Sequence, residues 1–473
     1  MKPKYFLSRI SGSLLSQIVV LSSFFFIYHK LLNYLMVNVP IHLGAVKANH
    51  HVPPLFAIPQ INLEVWLIPA CLILILFLLF WHNLVNHPRV STVIFLAISI
   101  SLFSLIGISV AMIDGYKEIE GKHLPALIEP YTRLSLEYYG DVPLLNKVGL
   151  YYFLRNYAKA DIFLELSGHS QTHPPGGVIF LWVFSKIFGY NLISTSLISI
   201  LFTSTVIIPI YLLAKTLYGK EVGRLSIILF LIMPNFVIFT STSMDGPFSV
   251  FPILSTYLFF KSVSSTKKVL AICIGLCLSL GMLMTYSTVF IGLYFTIFAV
   301  LSFVFDRQQF HRVIKTLSIS LISFVAFYGL LFLFADFNPF EAVWASIKKD
   351  EAGMGTGYET IGRYLSLSTA NLLAFLIGVG APLTISWLYG TLKSIRGTWD
   401  LFPSSYLVTL VIMAFSTLYT MEVERIWIFM APFIVIPAAK YLHQRNNLAD
   451  LHCVTSLTVL QLLLFEAMLY TYW

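Results

Sequence analysis

Few residues in this chain are equipped for chemistry, and they cluster where apolar runs end. Asp114 stands in Ala111-Met112-Ile113-Asp114-Gly115-Tyr116, directly after one such run. A carboxylate at the edge of hydrocarbon is costly unless it is paired or functional. Partial dehydration also raises a carboxyl pKa towards that of a useful general base. The alternative is an ordinary acid capping the start of a loop. Asp245 lies in Ser241-Thr242-Ser243-Met244-Asp245-Gly246-Pro247. Gly-Pro after Asp is turn chemistry, so it reads as a helix cap. It also reads as a second acid that orients an acceptor, pairs with a base, or holds a divalent cation through hard oxygen ligands.

Two further groups carry donors suited to a phosphate. The first is Ser167-Gly168-His169-Ser170-Gln171-Thr172-His173-Pro174-Pro175-Gly176-Gly177, a rigid bend with two histidines. Either imidazole can donate to a phosphate or carry a proton near neutral pH; the spacing is poor evidence for a metal site. The second is Met421-Glu422-Val423-Glu424-Arg425-Ile426-Trp427. Arg425 offers a bidentate fork to a lipid phosphate, with Glu424 fixing its rotamer. A local ion pair with Trp427 as an interfacial anchor explains the same residues. A glycine-rich stretch, Gly353-Met354-Gly355-Thr356-Gly357-Tyr358-Glu359, beside Lys348 and Lys349 reads as a mobile lid and follows no strand, so it is no nucleotide motif. The chain carries no Walker loop, Rossmann turn, nucleophile elbow or zinc set. Cys71, Cys273, Cys277 and Cys453 all fall in apolar runs and read as small buried hydrophobes.

The elements that must position these residues follow from composition. The 473 residues are 58% hydrophobic and 11% charged, with a mean hydropathy of +0.82. A soluble chain is nearer half apolar and a quarter charged. This excludes a soluble enzyme, a disordered chain and a disulfide scaffold, and predicts an all-α polytopic membrane protein. The net charge of +8 comes mainly from short loops, so it sets orientation and does not point to nucleic acid. About thirteen spans are expected, near 12–38, 62–85, 91–112, 191–214, 224–241, 246–261, 269–284, 286–304, 313–335, 369–392, 402–420, 426–442 and 451–470. The N-terminal run after Lys2, Lys4 and Arg9 lacks a small-residue cleavage site and reads as an uncleaved first span.

With the N-terminus in the cytoplasm, every short basic cluster falls inside: Arg89, then Lys215 to Arg224, Lys261 to Lys268, Arg307 to Lys315, Lys393 with Arg396, and Lys440 with Arg445. The long segments 39–61, 113–190 and 336–368 then lie outside with most of the acids, so chemistry is expected at the outer membrane boundary. Residues 176–189 are apolar but would cover only about 21 Å as a helix, short of roughly 30 Å of hydrocarbon, and read as an interfacial helix.

This pattern resembles membrane glycosyltransferases of the C-type fold, the superfamily of dolichyl-phosphate-mannose protein mannosyltransferases and lipid A aminoarabinose transferases. The features that carry the resemblance are an Asp opening a long outer loop, His173-Pro174-Pro175, Phe188-Gly189, Ala214-Lys215-Thr216-Leu217-Tyr218-Gly219, an outer Asp245, and Arg425, Trp427 and Pro432. They cover 91–260 well and the C-terminal third loosely. The resemblance implies residues 1–90 as two accessory transmembrane helices, 91–335 as a glycosyltransferase module with outer loop 113–190, and 336–473 as an outer loop with C-terminal helices. It implies transfer of a sugar from a polyprenyl-phosphate donor to an acceptor hydroxyl on the extracytoplasmic face of the cell membrane. The anomeric configuration inverts, and the acceptor is a protein, lipid or glycan. Asp114 and Asp245 are then catalytic, His173, Arg425 and His169 bind the donor phosphate, and Glu424, Tyr116 and Glu118 support them. No cofactor is certain; a divalent cation stays open. Three departures stand out. Gly115 replaces a frequent second acid, His173 replaces a frequent Lys, and two spans precede the catalytic-type span. A polyprenol-linked ligase or polymerase, a lipid or glycan transporter, and a non-enzymatic subunit of a glycosylation complex are the competing readings. Nearly charge-free spans without symmetry between halves speak against transport.

Overall fold

The computed structural model describes residues 12–38, 52–119, 121–354, 356–397, 399–419 and 422–471. Lys2, Lys4, Arg9, Glu120, Gly355, Met421 and positions 39–51 of the expected first outer segment lie outside the described residues. The chain divides into two units, each discontinuous in sequence. One comprises 1–115, 207–240 and 356–472, the other 116–206 and 241–355.

Nearly every described element is a helix, and the capping residues show why each starts where it does. Ser91 accepts from the Ile94 N–H to open Thr92–Ala111. Asp306 does the same for Gln309 at the start of Arg307–Ala335, and Asn447 for Ala449 and Asp450 at the start of Leu448–Met468. Each side chain satisfies first-turn donors that have no partner inside the helix. Eight helices among the described residues are long and apolar enough to cross a membrane, ten if two bent pairs each count as one span. That is fewer than the thirteen expected. Lys268–Met284 has 17 residues, and Asp245–Ser265 is diluted by Ser, Thr and Pro. The expected span at 224–241 is two helices, Lys220–Phe230 and Pro234–Thr242, bent by 58°. Pro234 supplies no N–H and begins the second piece, so the ladder breaks before it.

In the first unit, rings from three helices form the core: Tyr406 stacks on Phe433 at 5.0 Å, Phe402 on Phe433 at 5.4 Å, and Trp387 lies 5.8 Å from Tyr406. Buried Arg224 donates to the carbonyls of Val85 and Val90 and lies over Phe95, which pins the turn before Thr92–Ala111. Residues 58–59 pair antiparallel with 469–470.

In the second unit, Tyr116–Ile119 and Lys122–Pro125 form a hairpin, followed by a run of short helices that includes Gly176–Phe188. Their apolar faces share one cluster with Phe248 and Met284. Lys268–Met284 lies so close to Arg307–Ala335 that a Cβ on Gly275 would sit 2.3 Å from the Ser320 carbonyl oxygen. Small residues allow such an approach where apolar lipid gives helices no hydrophobic reason to associate. Gly275→Val should therefore lower the unfolding midpoint in detergent by several degrees, the signature of about 1–3 kcal/mol of overpacking. Gly292→Val, at a glycine with open space around it, should leave the midpoint near wild type.

Candidate functional site

Asp114 is the last residue of the candidate span Thr92–Asp114. It ends a 3-10 turn, Met112–Asp114, that tightens the close of the helix. Gly115 follows at φ +69°, where a side chain is strained, and a Cβ there would lie 3.2 Å from Trp66 Cδ1. The absence of a second acid at this position thus has a conformational cause. The Asp114 carboxylate accepts from Asn62 Nδ2 at 2.5 Å. Asn62 is itself held by its backbone, whose N–H donates to the Ala467 carbonyl at 2.8 Å. Residues before position 90, which the sequence left without a role, thereby supply the acid's neighbour. A primary amide just ahead of a span gave no signal of this.

Arg425 and Glu424 also belong to the first unit, on a short helix, Val423–Ile426, buried at both residues. The carboxylate that pairs with Arg425 is Glu422, through Nη2. Glu424, expected to fix that rotamer, instead accepts from the Phe56 N–H at 2.7 Å. The helix geometry explains the exchange: positions three apart share a face, adjacent ones do not. Glu424 Oε2 has no hydrogen-bond partner among the described residues. Burial is the main cause that pushes the Glu424 carboxyl up to about 7.

The remaining sequence candidates lie in the second unit. Asp245 is in the first turn of Asp245–Ser265 and 8% exposed. Ser243 Oγ donates to its Oδ2 at 3.0 Å and receives its backbone N–H at 3.2 Å. A carboxylate there also meets the positive end of the helix dipole. His169 and His173 are brought together with this helix. Their rings are 6.2 Å apart, and Tyr138 and Phe248 pack against His173 at 5.7 Å and 6.3 Å. Phe248 lies one turn beyond Asp245. Both imidazoles are oriented through Nδ1: His173 donates to the His169 carbonyl at 3.0 Å, and His169 faces Glu137 Oε1 at 3.1 Å. A carbonyl only accepts, so the His173 Nδ1 carries a proton there.

Two acids that hold this bend were not singled out from the sequence. Glu137 is 7% exposed against His169. Asp141 accepts from the Ser167 N–H at 2.9 Å and its hydroxyl at 2.7 Å. Burial pushes the Asp141 carboxyl up, against the hydroxyl and backbone donors that pull it down. Tyr157 shares its O–H between the carbonyls of Ser170 at 2.6 Å and His173 at 2.9 Å. The run Glu137-Tyr138-Tyr139-Gly140-Asp141, two acids around paired tyrosines, was the available signal. Tyr116 and Glu118 are exposed on one face of the hairpin. Among the described residues, no group of three or more His, Cys, Asp or Glu side chains is arranged to hold a metal ion.

No curated protein matches the chain. Residues 172–332, which contain His173 and Asp245, match the family described as dolichyl-phosphate-mannose-protein mannosyltransferase. Similar solved structures include the Archaeoglobus fulgidus oligosaccharyltransferase in complex with Zn and sulfate, at 14% identity and a TM-score of 0.48, over 78% of this chain and 53% of that one. The archaeal oligosaccharyltransferase AglB from the same organism, with an inhibitory peptide and a dolichol-phosphate, is similar at 11% identity and a TM-score of 0.43, over 79% and 55%. The chain spans about half the length of these two proteins.

The buried Glu424 yields a pH test. Its folded value of about 7 stands above the ordinary 4.5. The folded state therefore holds a proton that the unfolded chain has released, and stability is lost as pH rises through this window. Glu424→Gln keeps an acceptor for the Phe56 N–H but cannot ionise. Unfolding in detergent from pH 4 to 8 should show wild type losing about 3 kcal/mol relative to this variant. Parallel curves would show that the Glu424 carboxyl titrates in the folded chain as it does in the unfolded one.

Proposed function

We propose that this chain, a membrane glycosyltransferase of the superfamily matched by residues 172–332, moves a sugar from a polyprenyl-phosphate donor to an acceptor hydroxyl. The match over the segment that holds His173 and Asp245 is the observation that carries the reading. The acceptor oxygen attacks the anomeric carbon, and the bond from that carbon to the phosphate oxygen breaks with inversion. The acceptor's proton passes to Asp114, and the lipid phosphate leaves with its electron pair. Asp114 is suited to this role by its place at the end of an apolar span and by Asn62, which orients the carboxylate.

Charge grows on the leaving phosphate as the bond breaks, so preset donors there lower the barrier. His169 and His173 are the imidazoles of the second unit that face the phosphate in this reading, with His169 held by Glu137. Arg425 is the permanent cation among the candidates. Asp245, fixed by Ser243, orients the acceptor. The basic loops support a cytoplasmic N-terminus and an extracytoplasmic reaction in the cell membrane. Hexosyl and pentosyl donors both fit this chemistry.

Membranes carrying the chain, supplied with radiolabelled polyprenyl-phosphate sugars, test the reading. Wild type should transfer at least one of them. Asp114→Asn should be slower by about 10²–10⁴-fold, the usual worth of a general base, with donor binding retained. Full transfer by Asp114→Asn removes the acid from the mechanism. Sidedness is tested by single cysteines at Lys147 and Ser264, both exposed, in a chain whose native cysteines are changed to serine. An impermeant maleimide should label only the first from outside; labelling of both would overturn the orientation.

A further inference from the structure

Far along the Asp245–Ser265 helix from its acidic start, a second feature has no part in sugar transfer. The helix is capped by Thr266, in the left-handed region at φ 56°, and Lys268–Met284 begins two residues later. Lys267 occupies the N-cap without a side-chain cap, and of the first-turn N–H groups its carbonyl accepts that of Leu270 at 3.1 Å. The turn faces the first turns of Arg307–Ala335, and Ser262 and Thr316 hydroxyls meet at 3.3 Å beneath it. The recess between them is lined by Lys267, Lys268, Arg312 and Lys315.

Four basic residues border this recess. No Asp or Glu lines the recess, and among the described residues none of the four forms an ion pair. The acid at the head of the same helix, Asp306, is committed to the Gln309 N–H at 2.9 Å. Arg312 Nε is buried with no hydrogen-bond partner among the described residues, and a buried unpaired donor is costly. Like charges held together in a partly enclosed space repel unless an anion sits among them. A phosphate satisfies all of these groups: it accepts from the guanidinium fork, the ammonium groups and the uncapped helix terminus.

Depth decides where that phosphate comes from. Arg307–Ala335 has 29 residues, about 44 Å of helix against roughly 30 Å of hydrocarbon. The excess of about nine residues matches the polar run Arg307 to Lys315, which puts Arg312 and Lys315 at headgroup level. Val269 is 68% exposed and Ile314 41%, apolar flanks suited to acyl chains beside the cations. We propose that this recess binds the phosphate of an anionic membrane lipid. The site is separate from the transfer chemistry. It lies at the other end of a 21-residue helix, about 30 Å from Asp245.

The full chain in detergent micelles, titrated with phosphatidylglycerol or phosphatidylcholine and read by native mass spectrometry, tests the proposal. Wild type should retain phosphatidylglycerol in preference to phosphatidylcholine. Arg312→Gln with Lys315→Gln should weaken phosphatidylglycerol binding by about fivefold for each charge removed, with phosphatidylcholine unaffected. Lys267→Gln with Lys268→Gln, at exposed turn positions that fold without strain, should weaken it likewise. Lys393→Gln with Arg396→Gln, an exposed basic pair elsewhere, should not. Equal weakening by all three pairs would assign the effect to diffuse charge, and no weakening by the two recess pairs would empty the site. Both results overturn the proposal. Displacement of the lipid by inorganic phosphate at matched ionic strength would assign the recess to a soluble anion and overturn the lipid.

Discussion

Hydrocarbon offers no partner to a peptide N–H or C=O, and this constraint governs the rest of the molecule. It forces the apolar runs into helices, whose backbone groups pair within the segment. It also drives ionisable side chains to the places where helices stop. Asp114 closes one apolar helix, Asp245 opens another, and Arg425 with Glu424 occupies a short turn between others. The basic recess sits where three helices begin or end. Chemistry in this chain is therefore a property of helix termini, and the local geometry of each terminus decides what its side chain can do.

That geometry is set by few residues. The 3-10 turn at Met112–Asp114 and the positive φ of Gly115 direct the chain away from the helix without hiding the carboxylate. Asn62 then gives it an orientation. In the second unit the histidine bend would be a loose loop without its buried acids. Glu137 and Asp141 take two of its side chains and a backbone N–H, and Tyr157 takes two carbonyls. A loop with its polar groups paired in this way presents both imidazoles in a set orientation.

The same economy explains the close helix contacts. Lipid gives no apolar gain when one helix meets another, so contact must come from shape. Gly275 admits the Ser320 carbonyl, and Gly176 lets the start of its helix approach the Leu283 carbonyl, where a Cβ would stand 2.3 Å away. These contacts carry the recess on one side and the Pro-Pro bend on the other.

Composition and the spacing of apolar runs determined a great deal: a nearly all-helical membrane chain, helices near 62–85, 91–112 and 313–335, which the structure places at Leu67–Asn86, Thr92–Ala111 and Arg307–Ala335, and Asp114 at the end of its span. These are local properties, since hydropathy over some twenty residues and the cost of a charge in hydrocarbon need no knowledge of the rest of the chain. The resemblance read over 91–260 overlaps the segment 172–332 that matches a mannosyltransferase family. Tertiary structure alone decided the partners. Asn62 meets Asp114 across 52 positions, Phe56 meets Glu424 across 368, and Glu137 reaches His169 from the bend before Tyr138–Asp141. It also decided that Glu422, not Glu424, pairs with Arg425, and that 224–241 breaks at Pro234. Such pairings depend on which helices pack together, and packing among apolar helices is chosen by shape, which the pattern of hydrophobic residues does not record.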